Sequence, residues 1–263
     1  MGESGIRFIA SDVDGTILPR GEKHIDPKLF EVIKAVTDQG VQFVIASGRP
    51  YCELKHLFEP VMDRISLVCS DGALTVYHGK NVLMRSMDHD VAEELLADVE
   101  AKPDCEFLVY GEFIAYMRPK EESYDMKVRE TCFNHVNVIN TFNHIGESDI
   151  LKIGIYNKKG IHTVEDYFLE KWGDKFEVIY SANEWLEFAA KGVNKSLGLT
   201  ALMEQFQIKR EESIAFGDSF NDIGMFQTVG RGYAMKTAKQ ELKDIAYGIS
   251  DNVAETVRDL LLK

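Results

Sequence analysis

Residues 6–16 read IRFIASDVDGT, a short apolar run that leads directly into two aspartates, a glycine and a threonine. The apolar run at 6–10 is typical of a buried strand in a parallel sheet, because such strands are covered on both faces. In open α/β sheets, ligands bind beyond the carboxyl ends of the strands. The stretch therefore predicts both a class of fold and the place of a site.

Strands and helices alternate at both ends of the chain. After the first strand, Asp26 and Pro27 form a typical helix start, and residues 41–46 and 66–69 are two further apolar runs. The same alternation returns from Asn194 onwards. Strands that alternate with helices of about a dozen residues predict a doubly wound, Rossmann-like parallel sheet of the α/β class.

The middle of the chain has a different pattern. Residues 74–77 and 82–87 flank a turn and predict a hairpin, and short strands mixed with helices follow. Hairpins mixed with helices are typical of an α+β arrangement. We therefore predict a core of residues 1–82 and 187–263, interrupted by an inserted α+β domain of residues 83–186.

The charge and composition exclude several classes of partner. The chain has 263 residues and a formal net charge of −13, so neither nucleic acid nor an anionic membrane is expected to bind it. No apolar run approaches the ~18 residues of a membrane-spanning helix, and the first residues lack a signal-peptide core. The 4 cysteines are widely spaced without a CxxC pair, which is typical of reduced thiols. We therefore expect a cytoplasmic protein.

Asp12 and Asp14 are the first candidates for chemistry. Two carboxylates buried this close together repel each other unless a cation or a shared proton stabilises them. A solvated turn is the plainer alternative, because Asp and Gly are common turn residues. An EF-hand calcium loop is disfavoured, because Ile17, Leu18 and Pro19 occupy its later ligand positions. We favour a functional loop.

Further polar groups stand at matching positions. Residues 217–222 read GDSFND and follow the apolar run at 213–216, while Ser47 and Gly48 follow the second strand. A hydroxyl group and the amides of a helix start can bind an anion. Each group alone is also explained as a turn or a helix cap, and Lys195 alone as a solvated lysine. Their common position at strand ends and helix starts favours a shared site.

These motifs resemble a known family. DVDGT at 12–16, Ser47, Lys195 and GDSFND at 217–222 resemble the four ordered motifs of the haloacid dehalogenase (HAD) superfamily, and KGVNKS at 191–196 resembles its Cof-type phosphatase branch. That branch carries its cap between the second and third motifs, where the inserted domain lies. The resemblance implies a Mg2+-dependent phosphatase of small phosphomonoesters, such as sugar phosphates, that works through an aspartyl phosphate, with the insert as a cap that sets substrate choice.

The resemblance also implies roles for individual residues. Asp12 is the expected nucleophile, and Asp14 the acid that protonates the leaving alcohol and then activates water. The expected Mg2+ ligands are the Asp12 and Asp218 carboxylates and the Asp14 backbone carbonyl. Asp222 is expected to orient Lys195 or the metal-bound waters. The expected phosphate-binding groups are Val13, Ser47, Gly48, Lys195 and Asn221.

Two alternatives remain beside a phosphatase. A phosphosugar mutase of the same superfamily would keep the phosphate on the sugar and release none. A regulatory module would accept a phosphate on aspartate, or bind a metal, without turnover. Receiver domains of that kind are much shorter and have no need of an acid at the position of Asp14. Because hydrolysis requires proton transfer there, Asp14 favours an enzyme.

Overall fold

The computed structural model of the chain describes residues 5–22, 24–132, 135–142, 145, 150–182 and 184–262. The chain divides into two compact units. The core unit comprises Met1–Ser47, Leu57–Leu83 and Asn194–Lys263, and the insert unit comprises Gly48–His56 and Met84–Val193. Each unit has its own sheet.

The helices and strands have the following bounds. The strands are β1 (Phe8–Ser11), β2 (Gln42–Ala46), β3 (Ile65–Cys69), β4 (Leu74–Tyr77), β5 (Lys80–Met84), β6 (Cys105–Tyr110), β7 (Ala115–Met117), β8 (Val136–Val138), β9 (Lys152–Asn157), β10 (Glu177–Ala182), β11 (Trp185–Ala189), β12 (Ser213–Gly217), β13 (Arg231–Met235) and β14 (Gly248–Ser250). The α-helices are α1 (Pro27–Asp38), α2 (Tyr51–Leu57), α3 (His89–Glu100), α4 (Glu122–Thr131), α5 (Glu165–Trp172), α6 (Lys195–Gln205), α7 (Ile223–Thr228), α8 (Gln240–Asp244) and α9 (Val253–Leu261).

The first strand lies in the middle of the core sheet. The strand order is β14-β13-β12-β1-β2-β3-β4-β5. β1 pairs in parallel with both β12 and β2, so that Ala10 lies between Ala215 and Val44. Parallel pairing continues to β14 on one side and to β3 on the other. The predicted doubly wound sheet is confirmed, and the carboxyl ends of β12, β1 and β2 meet at one edge.

The predicted hairpin extends the core sheet instead of opening the insert. β4 pairs antiparallel with β3, and β5 adds the edge strand. His78 and Gly79 have φ of +47° and +71°, the left-handed conformation of a tight hairpin turn. Such a turn lets an antiparallel strand join the edge of a parallel sheet without a crossover helix. The expected boundary at 82/83 therefore falls inside a strand.

The insert unit contains a second, mainly antiparallel sheet. Its strand order is β10-β11-β9-β6-β7-β8, and only β7 and β8 pair in parallel among its described strands. Helices α3 and α5 contribute to a buried core that includes Leu95, Phe107, Ile153, Phe168, Trp172 and Phe188. This mixture confirms the expected α+β class of the insert.

Two features of the insert unit depart from the sequence pattern. β11 pairs with β9 and β10, so the expected boundary at 186/187 also falls inside a strand. The sequence pattern shows no clear element at α4, whose polar sequence buries only Tyr124 and Val128. A helix with so narrow an apolar stripe gives a weak periodic signal. Across the described residues, the helices are too short and too polar to span a membrane.

Candidate active site

Four of the motif residues belong to the core unit, three at the ends of strands and one at the start of a helix. Asp12 follows β1, Ser47 follows β2, Asp218 follows β12, and Lys195 is the first residue of α6. All four side chains are buried. The side chain of Asn194 caps α6 by accepting a hydrogen bond from the N–H of Leu197 at 3.3 Å, which fixes the point at which Lys195 enters the site.

The ammonium group of Lys195 joins two of the predicted carboxylates. Its Nζ donates to Asp12 Oδ1 at 2.6 Å and to Asp222 Oδ1 at 2.7 Å, and 1% of the side chain is exposed. Burial alone would lower the pKa of Lys195, but the charges of Asp12 and Asp222 outweigh burial and raise it. Lys195 is therefore a permanent positive charge between two acidic groups.

The neighbouring groups balance the negative charge of the Asp12 carboxylate only in part. Its N–H donates to the carbonyl of Phe216 at 3.0 Å, which ties the loop to β12. Its second carboxylate oxygen, Oδ2, is buried and has no hydrogen-bond partner among the described residues. Burial raises the pKa of Asp12 to about 8, with Asp222 adding to the effect and Lys195 opposing it. A further cation beside Asp12 would relieve this imbalance.

Asp222 fastens the GDSFND loop to Lys195. Its Oδ2 accepts hydrogen bonds from the N–H groups of Asp218 at 2.9 Å and Ser219 at 3.0 Å, while Oδ1 accepts from Lys195. The side chain is fully buried. Both of its oxygens are thus engaged in holding other groups of the site.

The buried carboxylates fit a divalent cation. Asp12, Asp218 and Asp222 each offer one oxygen, and these oxygens lie within 4.8 Å of one another. Burial also raises the pKa of Asp218, whose Oδ2 lies 3.3 Å from Nη2 of the exposed Arg20. Two cationic side chains therefore face three carboxylates, and hard divalent ions prefer such oxygens. The expected ligands Asp12 and Asp218 are close enough for one ion at Mg–O bonds of ~2.1 Å.

A glycine allows the first motif to approach Asp218. Gly15 has φ of +88°, and a Cβ added there would lie 2.2 Å from Asp218 Oδ2. The turn is closed by hydrogen bonds from the Gly15 N–H to the Leu18 carbonyl and from the Leu18 N–H to the Val13 carbonyl, both 2.8 Å. No other residue type fits between this turn and Asp218 without displacing one of them.

We expect Gly15→Ala to destabilise the protein more than Gly40→Ala. Gly40 has a similar φ of +84°, but nothing lies within 4 Å of an added Cβ, so it reports the backbone strain alone. That strain costs about 1–2 kcal/mol, and the clash at Gly15 adds about 1–3 kcal/mol. Urea unfolding of both variants measures the difference. Equal losses would contradict the close approach of Gly15 to Asp218.

Asp14 differs from Asp12 in its surroundings. Asp14 is exposed, whereas Asp12 is buried two positions earlier. The side chain of Val13, between them, is fully buried, so only its backbone is available to a ligand. The two aspartates of one motif thus have environments suited to different roles. Asp12 is shielded from water and held by hydrogen bonds, whereas Asp14 is accessible to water.

Asp71 belongs to the site although the motifs do not include it. Its N–H donates to the carbonyl of Ser47 at 3.0 Å, and its Oδ1 accepts from Nδ2 of Asn221 at 3.2 Å. Ser70 and Asp71 have φ of +49° and +56°, a costly conformation outside glycine that often accompanies function. Asp71 comes two positions after the end of β3, and this place at the carboxyl end of a strand is the sequence signal that could have identified it.

Gly48 lies on the other side of the unit boundary from Ser47. It belongs to the insert unit, where its carbonyl accepts a hydrogen bond from Nζ of Lys152 at 2.8 Å. Arg20, which pairs with Asp218, is the other site residue that sequence reasoning missed. Nothing in the pattern around Arg20 distinguishes it from an ordinary surface arginine.

Comparison with known proteins identifies a family and a relative of similar length. The sequence family described as haloacid dehalogenase-like hydrolase matches residues 9–257. The chain is 27% identical to the 5-amino-6-(5-phospho-D-ribitylamino)uracil phosphatase YbjI of Escherichia coli (strain K12), over 98% of this chain and 96% of that protein.

Solved structures share the fold over the whole chain. A haloacid dehalogenase-like hydrolase from Bacteroides thetaiotaomicron superposes with a TM-score of 0.87 at 24% identity, covering 97% of this chain and 100% of the other. A sugar phosphatase of HAD subclass IIB superposes with a TM-score of 0.80 at 20% identity, covering 96% of this chain and 98% of the other. The resemblance of the four motifs is thus confirmed, and the chain belongs to the haloacid dehalogenase-like hydrolases.

Proposed function

We propose that the chain is a Mg2+-dependent phosphatase that hydrolyses small phosphorylated metabolites, such as sugar phosphates, through an aspartyl phosphate on Asp12. The observation that carries the proposal is the buried Asp12, held by Lys195 at 2.6 Å beside the carboxylate of Asp218. An ordinary protein interior avoids such a cluster of like charges. The phosphatase activity named for the relatives supports the same assignment.

The carboxylates of Asp12 and Asp218, with the backbone carbonyl of Asp14, are the groups that would hold Mg2+. The unpartnered Oδ2 of Asp12 and the excess of acidic over basic side chains in the cluster support this assignment. Bound there, Mg2+ would neutralise charge and allow an anionic phosphate to approach the anionic Asp12. Asp222 has both oxygens engaged by Lys195 and backbone N–H groups, so we assign it to positioning.

Asp12 acts as the nucleophile in the proposed reaction. One of its carboxylate oxygens forms a bond to phosphorus while the bond to the ester oxygen breaks, giving an aspartyl phosphate and the alcohol. The ammonium group of Lys195 supplies a fixed positive charge for the phosphoryl oxygens. The other groups proposed to bind these oxygens are the backbone of Val13, the Ser47 hydroxyl, the Gly48 amide and the Asn221 side chain.

Asp14 moves the protons. It donates a proton to the leaving ester oxygen, so that the product departs as a neutral alcohol. The resulting carboxylate then takes a proton from the water that attacks the aspartyl phosphate. This second displacement releases inorganic phosphate, regenerates the carboxylate of Asp12 and returns the proton to Asp14. The exposure of Asp14 supports this role, because the group must meet both the alcohol and water.

The insert unit is proposed to act as the cap that sets substrate choice. The core loops offer carboxylates, a lysine, a hydroxyl and an amide, which recognise a phosphate but not the organic part of a monoester. The main segment of the insert unit, Met84–Val193, is large enough to add that recognition. None of the four cysteines, all within the described part of the chain, is in a disulfide, which supports a reducing compartment such as the cytoplasm.

Release of inorganic phosphate from a panel of phosphorylated metabolites, with Mg2+ present, tests this function. We expect turnover of several sugar phosphates and of p-nitrophenyl phosphate. A chelator should remove the activity and added Mg2+ should restore it, because the buried acidic cluster otherwise repels the phosphate. Isomerised sugar phosphate without free phosphate would indicate a mutase instead. Absence of turnover on every compound would contradict an enzymatic role.

A further inference from the structure

A buried ion pair joins two neighbouring interior strands of the insert sheet. Nζ of Lys152 lies 2.8 Å from Glu187 Oε2, and the two side chains are 1% and 5% exposed. Lys152 is on β9 and Glu187 is on the neighbouring β11. The same Nζ donates to the carbonyl of Gly48 at 2.8 Å. The lysine at the start of β9 thus reaches the residue that follows Ser47.

Tyr110 completes the network from the other side. Lys152 is opposite Tyr110 in the pairing of β9 with β6, and its Nζ lies 4.5 Å from the centre of the tyrosine ring. The hydroxyl of Tyr110 donates to Glu187 Oε1 at 2.9 Å. Burial, reinforced by the charge of Glu187, raises the pKa of Tyr110, so the hydroxyl stays protonated as a donor. Tyr110 and Glu187, on the two strands that flank β9, therefore fix the position of the Lys152 ammonium group.

Stability alone does not explain this arrangement. Removing two charges from water costs several kcal/mol, and apolar residues of similar volume often give an equal or greater stability in such positions. Neighbouring strand residues such as Ile153 and Phe188 are apolar and buried. What an apolar replacement could not provide is the hydrogen bond from Lys152 to the backbone carbonyl of Gly48. That carbonyl belongs to a glycine, whose backbone has more conformational freedom than any other residue's.

We propose that Lys152, held by Glu187 and Tyr110, is a positioning residue for the phosphate-binding loop at Ser47 and Gly48. The inference rests on the proposed function, since it assumes that this loop binds the phosphoryl group. Lys152 holds the carbonyl of the peptide that joins Gly48 to Arg49, and so restricts the backbone rotation of Gly48 beside the N–H proposed to bind the phosphate. It acts through the backbone and does not touch the substrate. A misplacement of about 1 Å in such a group lowers catalysis by as much as ~10²-fold.

Lys152→Met is the decisive variant, with Lys120→Met as its control. Nζ of Lys120 also binds backbone carbonyls of the insert unit, those of Cys105 at 2.6 Å and Lys102 at 2.7 Å. We expect kcat/KM for p-nitrophenyl phosphate to fall by about 10–100-fold in Lys152→Met and by less than about twofold in Lys120→Met. Inhibition by inorganic phosphate should weaken in Lys152→Met and stay unchanged in Lys120→Met.

Further variants separate positioning from folding. Lys152→Arg keeps a charged donor and should retain more activity than Lys152→Met. If Lys152→Met does not fold, Tyr110→Phe removes only a hydroxyl group and should give a smaller loss in the same direction. Hydrogen–deuterium exchange of the peptide around Ser47 and Gly48 should rise in the variants that lose activity.

The outcomes are distinct for the two proposals. If the wild type releases phosphate and folded Lys152→Met keeps its kcat/KM and phosphate inhibition, positioning by Lys152 is overturned while the proposed function stands. An equal loss in folded Lys120→Met would also overturn it, because the effect would then be a general one. If the wild type neither hydrolyses phosphomonoesters nor binds inorganic phosphate by calorimetry, the proposed function fails and the inference fails with it.

Discussion

Replacing Asp12 by asparagine is expected to reduce phosphate release to background, a loss of at least about 10⁴-fold. The substitution keeps the shape of the side chain but removes the attacking anion. It also weakens a proposed ligand of Mg2+, because an amide oxygen carries no charge. We do not expect Asp222 to replace the nucleophile, since its oxygens are engaged by Lys195 and backbone N–H groups.

The fold should survive Asp12→Asn. The new amide oxygen can accept the hydrogen bond from Lys195, and Lys195 keeps its 2.7 Å contact with Asp222. Asp26→Asn is the matched control in the same unit. Asp26 caps α1 by accepting from the N–H of Lys28 at 2.9 Å, and asparagine caps helices equally well. Residual activity of Asp12→Asn within tenfold of the wild type would refute a covalent role for Asp12.

The trapped intermediate gives a second measurement of the same role. Wild-type protein quenched in acid during turnover of a labelled phosphomonoester should carry label, because acyl phosphates survive brief exposure to acid. Asp12→Asn should carry none, and Asp26→Asn should match the wild type. Label of equal amount in both variants would place the phosphoryl group on another residue.

The sequence could predict that the motif residues lie close together, because the apolar strands that precede them give strong sequence signals. The apolar runs before Asp12, Ser47 and Asp218 predict buried strands, and parallel strands end at a common edge. The contact of Lys195 with Asp12 follows from the order of the motifs and could not have come from spacing alone. Lys195 and Asp12 are 183 positions apart, and the fold brings them together because α6 packs against β2 and β3, beside β1 in the core sheet.

Asp71 and Lys152 show what the sequence pattern does not contain. The place of Asp71 after β3 indicates the sheet edge, but its left-handed backbone, at a residue other than glycine, has no recognisable sequence pattern. Lys152 interrupts an apolar run of the sequence, and its ion-pair partner Glu187 lies 35 positions later. Long-range pairs of this kind arise from the sheet register, and a single sequence gives no information on that register. The expected boundaries at 82/83 and 186/187 fall inside β5 and β11 for the same reason, because these strands are assigned by their partners.

Asp14→Asn is expected to separate the two aspartates of the first motif. Asp14 is exposed, and the cluster of carboxylates found among the described residues contains Asp12, Asp218 and Asp222 but not Asp14. The substitution leaves the proposed carbonyl ligand intact, so Mg2+ and inorganic phosphate should bind as in the wild type. Loss of a positioned acid and base lowers turnover by about 10²–10⁴-fold.

The size of the loss in Asp14→Asn should depend on the leaving group. A sugar alcohol is a poor leaving group and needs the proton of Asp14 to form the aspartyl phosphate, whereas p-nitrophenolate leaves without one. With p-nitrophenyl phosphate the variant should therefore release about one equivalent of nitrophenolate rapidly and then stall. The stall arises because the water that attacks the phosphorylated Asp12 lacks its base. Labelled aspartyl phosphate should accumulate to the same level in an acid quench. Wild-type rates on sugar phosphates, or a steady rate without a burst and without trapped label, would show that Asp14 does not carry the proton in either step.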